Sequence, residues 1–165
     1  MARLHPWELM PENDNRPTAL PIYIVNGPNL NLLGTREPEV YGTTTLPQIE
    51  QMCARQAESH GLSIQFRQSN REGEIVDILQ EARTKGCGVI INPAGYGHTS
   101  IAILDSIQIL KMPVIEVHLS NIHRREPYRN HSYISKGATG IIMGLGAQGY
   151  LRAIDAIAQI VKASQ

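Results

Sequence analysis

Residues Ile22–Gly42 read IYIVNGPNLNLLGTREPEVYG, a short apolar run that opens directly into a long polar loop. The β-branched and aromatic run Ile22-Tyr23-Ile24-Val25 has the character of a strand, ending about Asn26. The stretch Asn26–Gly42 that follows holds Asn26, Asn29, Asn31, Gly27, Gly34, Gly42, Pro28 and Pro38, together with Arg36, Glu37 and Tyr41. Strand-to-helix connections usually need only a few residues, and excess length of this kind is commonly functional. Gly27-Pro28 is turn chemistry, while asparagine side chains can hold loop backbone or a polyhydroxylated ligand. Arg36 and Tyr41 are a permanent cation and a weakly acidic phenol in one loop. Taken alone, each also reads as an ordinary surface residue.

Working outward, a helix is expected from Leu46 to about Ser59, with Leu46, Ile49, Met52, Cys53 and Ala57 at helical spacing. Thr45 suits its N-cap, Pro47 its first turn and Gly61 its end. Leu62–Arg67 alternates apolar and polar residues, as a half-covered edge strand does. A second helix is expected over about Glu72–Lys85, then a short, wholly apolar strand at Val89-Ile90-Ile91, of the kind covered on both faces. The loop NPAGYGHTS (Asn92–Ser100) leads into a helix to about Leu110, apolar around most of its circumference, with Asp105 and Gln108 as its polar strip. In a chain this small, a subunit interface is a natural second partner for that helix. Val114–Leu119 and Gly140–Gly144 read as the last strands, and Gln148–Val161 as the closing helix. Gly144–Gly149, although rich in glycine, reads as tight packing at the last strand-to-helix turn.

Five strands alternating with four helices predict an α/β domain with a parallel sheet and right-handed crossovers. The single alternating strand belongs at an edge, which favours the flavodoxin-like order 2-1-3-4-5. Ligands then bind beyond the carboxyl ends of the strands, where strands 1 and 3 send their chains apart. Three polar loops meet at that edge: Asn26–Gly42, Asn92–Ser100, and the segment after strand 4. Their convergence turns Arg36 and Tyr41 from surface residues into candidates.

At 165 residues the chain fits one domain, residues 21–165, preceded by an irregular arm over residues 1–20 that lacks the apolar core of a secretory signal. The expected address is the cytoplasm. Lys+Arg and Asp+Glu balance at 15 each, so no net field argues for nucleic acid or an anionic membrane, and no apolar run is long enough to span a bilayer. Cys53 and Cys87 are far apart in sequence and read as free thiols. The histidines are too scattered for a metal site, and nucleotide-binding glycine motifs are absent.

Glu116 and His118 share one face of their strand near its C-terminal end, a carboxylate beside an imidazole, which suits a general acid. His98 stands at a helix start, where it serves the terminus or meets a ligand hydroxyl. The amides around Leu119 and Ser120 offer a nest for a carboxylate. None of Lys85, Lys111, Lys136 and Lys162 has the setting of a Schiff-base lysine.

NGPNLNLLGTREPEVYG, INPAGYGHTS, IEVHLSN with the later R-x-P-Y-R-x-H-S, and GLGAQGY, in that order, resemble the type II 3-dehydroquinate dehydratases over about Ile22–Val161. The resemblance implies a flavodoxin-like enzyme, without metal or organic cofactor, assembled as a homo-dodecamer built from trimers. It implies removal of water from 3-dehydroquinate to give 3-dehydroshikimate, in aromatic biosynthesis or quinate breakdown. On this sequence it makes Tyr41 the tyrosinate base, Arg36 its electrostatic partner, and His118, paired with Glu116, the acid. It puts Asn29 at the enolate water and makes Asn92, His98 and Arg129 substrate contacts. Leu119 and Ser120 become the carboxylate site, and Asp105 a contribution from a neighbouring subunit. Gly97 stands where many members carry threonine, a departure expected to loosen its loop. The alternative from another class is a non-catalytic flavodoxin-like module for a sugar acid or nucleotide. It would leave Arg36, Tyr41, Glu116 and His118 unexplained as a set.

Overall fold

The strands that read as continuous apolar runs are the three central ones. In the computed structural model, which describes residues 20–35 and 37–165, β1 (Ile22–Asn26), β3 (Gly88–Asn92) and β4 (Val114–His118) are buried along their whole length. They are flanked by β2 (Ile64–Gln68) and β5 (Gly140–Met143) in one parallel sheet of order β2-β1-β3-β4-β5, the expected flavodoxin-like arrangement. Every second residue of β2 is exposed, which its alternating sequence requires of an edge. The expected arm over residues 1–20 lies, but for Leu20, outside the described residues, and so does Arg36.

Helices α2 (Leu46–Ser59) and α5 (Gln148–Ala163) pack on one face of the sheet, α3 (Glu72–Lys85) and α4 (Ile101–Gln108) on the other. Each face has its own apolar core, one including Ile24, Ile49, Cys53, Ile90 and Ile154, the other Val25, Ile75, Leu79, Ile91 and Ile103. Thr45 caps α2 as expected, and Gln48 returns the bond: its side chain accepts from the Thr45 amide at 2.9 Å, closing a capping box. Helix α4 ends at Gln108 rather than Leu110, because the chain turns there and the Leu110 amide bonds to the Ile107 carbonyl. Ile101 at its start and Ile109 just past its end are exposed in the single chain. The structure adds a short helix that no periodicity announces, α1 (Pro38–Tyr41), inside the long loop after β1. Four residues are too few to show a period; Pro38 at its first turn is the local reason it starts there. Both cysteines are free, Cys53 buried and Cys87 half-buried.

The loops after β1 and β3 part company where the two strands end side by side, Asn26 paired with Asn92. They leave the sheet in very close contact. The Gly27 amide donates to the Asn92 carbonyl at 2.8 Å, and a β-carbon on Gly27 would lie only 2.3 Å from the Pro93 carbonyl oxygen. Glycine is therefore required by the backbone's approach, not only by the turn.

Gly27→Ala is accordingly expected to destabilise the fold by about 1–3 kcal/mol or more, the usual cost of overpacking a site that cannot relax. Denaturant unfolding measures it, and a midpoint equal to wild type would show that the two loops can separate freely.

Candidate active site

The loop after β1 is built on a network of amides. Gln68, the last residue of β2, donates to the Gly27 carbonyl at 3.2 Å and to the Asn70 side-chain oxygen at 3.1 Å. That same oxygen accepts from the Asn29 amide at 3.0 Å, while the Asn70 carbonyl accepts from the Tyr96 hydroxyl at 2.7 Å. These contacts hold Asn29 in the left-handed region, φ 68°, a conformation asparagine tolerates better than most residues. Asn70 thus ties the loop after β1 to the loop after β3.

Tyr41 ends α1, half-buried, at the rim of a cleft of about 140 Å³ over the carboxyl ends of the sheet. Arg125 donates to its phenol oxygen at 2.8 Å, with the guanidinium carbon 5.2 Å from the ring centre. The contact sets a permanent cation directly against the phenol oxygen. Arg125 belongs to the basic loop after β4, but nothing in the sequence distinguishes it there from Arg124 or Arg129.

His118 lines the same cleft. Its Nε2 is 2.6 Å from Glu116 Oε1, and neither side chain is appreciably exposed. Ser132 donates to Glu116 Oε1 and Ser135 to Oε2, so the carboxylate accepts from three side chains. Burial works against the Glu116 charge, but the bonds from His118, Ser132 and Ser135 outweigh it and hold the carboxyl below its ordinary value. An ionised carboxylate only accepts, so Nε2 carries a hydrogen and Nδ1 is the nitrogen left for a ligand. The two serines come from a loop that sequence gives no reason to fold back on β4.

His98 stacks on His118, ring centres 6.3 Å apart. Its Nδ1 is 2.7 Å from the His131 carbonyl, an acceptor, which assigns the hydrogen to Nδ1. Burial holds the ring below its ordinary value, against the opposing pull of that carbonyl, and so favours a neutral imidazole whose Nε2 accepts a hydroxyl hydrogen. Asn29, Asn92, Leu119, Ser120 and Arg129 line the same cleft. Arg129 is braced by Glu126 at 3.0 Å, and Glu126 also lies 3.6 Å from Arg125. The glycine turn after β5 supports the floor: its Gly144 and Gly146 amides bond to the carbonyls of His118 and Leu119.

Eight of the sequence-derived residues therefore meet around one cleft, with Glu116 directly behind His118. Asp105 does not join them: it is exposed on α4, outside the lining of this chain's cleft. Gly97 does not leave a gap. It is buried, and a β-carbon there would come within 2.9 Å of Pro93 and 3.3 Å of the Ser132 hydroxyl, so glycine lets the loop close against them. Among the described residues no three His, Cys, Asp or Glu side chains are grouped so as to hold a metal ion.

The sequence model of the family described as dehydroquinase class II matches residues 20–158. A 3-dehydroquinate dehydratase of Streptomyces coelicolor is 54% identical over 144 residues, covering 87% of this chain and 92% of that protein. Another, from a Caulobacter strain, is 56% identical over 144 residues and is covered to 98%. The crystal structure of the type II dehydroquinase from Propionibacterium acnes superposes with a TM-score of 0.81 at 41% identity, covering 86% of this chain and 97% of that one.

The Glu116 carboxylate yields a pH signature. Its folded value lies below the ordinary 4.5, so the stability it contributes is present above that pH and is lost as the pH falls through the folded value. Glu116→Gln places an amide group against three donors and should cost about 1–3 kcal/mol near neutrality. Urea unfolding followed from neutral pH to about pH 3 should show the gap from wild type closing only at the acid end. A gap that is constant with pH would mean the carboxyl is held no lower in the folded protein than in the unfolded chain.

Proposed function

Because the chain belongs to the class II dehydroquinase family, we propose that its cleft dehydrates 3-dehydroquinate to 3-dehydroshikimate, with residues 21–165 as a single catalytic unit. The observation that carries this reading is the pairing of two opposed proton-transfer groups across one small cleft. Tyr41 has a guanidinium on its oxygen, and His118 has a buried carboxylate on its far nitrogen.

Tyr41, as phenolate, takes a proton from the carbon next to the substrate ketone, and the electron pair of that C–H bond moves into an enolate. An unassisted phenol ionises near pH 10, so the base requires cationic support. Arg125 gives it here, joined in this reading by Arg36. As the enolate collapses, the C–O bond to the departing hydroxyl breaks. His118, acting as an imidazolium with a hydrogen on each nitrogen, delivers its Nδ1 proton to that oxygen, releasing water and leaving the neutral ring bonded to Glu116 through Nε2. Glu116 positions the imidazole and balances its charge. Asn29 holds the water that meets the enolate oxygen, while His98, Asn92 and Arg129 bind the substrate's polar groups and the Leu119–Ser120 amides bind its carboxylate. The step calls for neither metal nor organic cofactor, since it transfers protons and expels a hydroxyl as water with no net change of oxidation state.

The reading extends to a cytoplasmic homo-dodecamer built from trimers, serving aromatic biosynthesis or quinate breakdown. The exposed Ile101 on α4 and Ile109 just past its end support a subunit contact at that helix, and Asp105 lies on the same helix, itself exposed. Asp105 then reaches the neighbouring protomer's cleft, where it orients Arg129 or a substrate hydroxyl.

Ultraviolet detection of the conjugated enone formed from 3-dehydroquinate tests the activity directly. Tyr41→Phe should retain fold and substrate binding while lowering kcat by about 10²–10⁴-fold, the usual worth of a positioned proton-transfer group. Near-normal turnover in that variant would remove Tyr41 from the role.

The shared site has its own test. Asp105→Ala should weaken substrate binding while leaving turnover at saturation largely intact. Subunit exchange between Asp105→Ala and Tyr41→Phe assemblies should regenerate some complete sites. Mixed assemblies that form, yet show only the summed activity of their parents, would mean that each chain works alone.

A further inference from the structure

Beneath the cleft lies a buried polar chain of which the mechanism above uses only Asn92. Tyr150, near the start of α5, is fully buried, and its hydroxyl sits between the paired ends of β1 and β3. It donates to Asn26 Oδ1 at 2.7 Å and accepts from Asn92 Nδ2 at 2.9 Å. Asn26 in turn donates through Nδ2 to the Arg67 carbonyl at 3.1 Å, and Asn92 Oδ1 accepts from the Ala94 amide at 3.2 Å.

The direction of this chain is fixed at both ends by backbone. The Arg67 carbonyl can only accept, so Asn26 must turn its amide nitrogen toward it and its oxygen toward Tyr150. The single hydroxyl hydrogen of Tyr150 is then committed to Asn26, and its oxygen can only accept from Asn92. At the far end the Ala94 amide can only donate, which demands the Asn92 oxygen. Reversing Asn92 would set its NH₂ against an N–H and its carbonyl against an oxygen with no hydrogen to share. Both bonds would be lost in a site where water is excluded, which makes the polarity strict. Ala94 also holds a left-handed backbone, φ 50°, a strained conformation for alanine that persists only where neighbours enforce it.

We propose that Tyr150 is a positioning residue for the reaction, acting through Asn92: its hydroxyl relays a fixed hydrogen-bond direction from the edge of the sheet, so that Asn92 presents its amide hydrogen to the substrate in one orientation. The inference rests on the dehydratase reading of the cleft. It assigns a function to the tyrosine of the GLGAQGY stretch, whose glycines serve the turn.

Tyr150→Phe keeps the ring but removes the hydroxyl. The KM for 3-dehydroquinate should rise about tenfold, the scale of one misdirected hydrogen bond, with kcat changed far less. The decisive comparison is a double-mutant cycle with Asn92→Ala, followed as kcat/KM, with thermal unfolding recorded for every variant. A residue that acts only through Asn92 adds nothing once Asn92 is gone, so the double variant should match Asn92→Ala alone. Asn26→Ala, which leaves Tyr150 in place but removes the acceptor that commits its hydrogen, should give the same KM signature. It carries the cycle if Tyr150→Phe does not fold. An active wild type whose Tyr150 and Asn92 effects simply multiply overturns the relay and leaves the dehydratase reading standing. A wild type that makes no enone from 3-dehydroquinate overturns the reading and the relay together.

Discussion

The contact between Gly27 and Pro93 is the constraint on which the functional end of this protein depends. Parallel neighbours β1 and β3 end in register, and their chains must leave in opposite directions to reach helices on opposite faces. The loops can begin that divergence only by passing each other at backbone distance, with no side chain between them. The crevice that opens above this point is where the loops after β1, β3 and β4 then meet. Asn70, bonded to Asn29 on one side and Tyr96 on the other, keeps the two loops from drifting apart once they have diverged.

A second constraint is the cost of burying charge. Glu116 lies on a central strand without solvent exposure, a place where an unpaired carboxylate would be driven neutral or would unfold its surroundings. Three hydrogen-bond donors meet it, and two of them come from the segment that carries Ser132 and Ser135. That segment is consequently as much a part of the site as the strand itself. Its return to β4 also brings the His131 carbonyl to His98 and the Tyr133 amide to the Gly97 carbonyl. One buried charge thereby organises both histidines.

Much of this was legible in the sequence where a residue's own neighbours determine its state. The apolar runs of β1, β3 and β4, the alternation of β2 and the cap at Thr45 are local signals, and they sufficed for the sheet order. Glu116 and His118 were legible as a pair because strand geometry alone puts them on one face. What sequence left out is tertiary. Arg125 is one of three arginines in its loop and is singled out only by contact with Tyr41. Ser132 and Ser135 have no spacing that points at a carboxylate sixteen and more residues earlier. The resemblance quoted GLGAQGY, but the link from Tyr150 to Asn26 and Asn92 depends on α5 lying across the ends of two strands. Asp105 is the reverse case: a polar residue on an apolar helix was conspicuous in sequence, yet its place is at the surface of the single chain.

In the proposed mechanism the two proton-transfer groups are held by different means, and the difference follows from the role each is given there. His118 stands on a core strand, with Glu116 and the serines behind it and Asn92 anchored on the neighbouring strand through Tyr150. Its geometry is inherited from the most buried part of the fold. Tyr41 ends a four-residue helix in an exposed loop, and Arg125 reaches it from another loop. The base of the proposed mechanism would benefit from this arrangement, because its cation remains partly solvated and needs no buried counter-charge of its own. The proposed acid would have the opposite need, since its hydrogen must be aimed at one leaving oxygen, and aiming is what a fixed strand and a directed hydrogen-bond chain would supply. The long loop that first drew attention in the sequence is thus matched to the partner that tolerates adjustment, and the short apolar strands to the partner that does not.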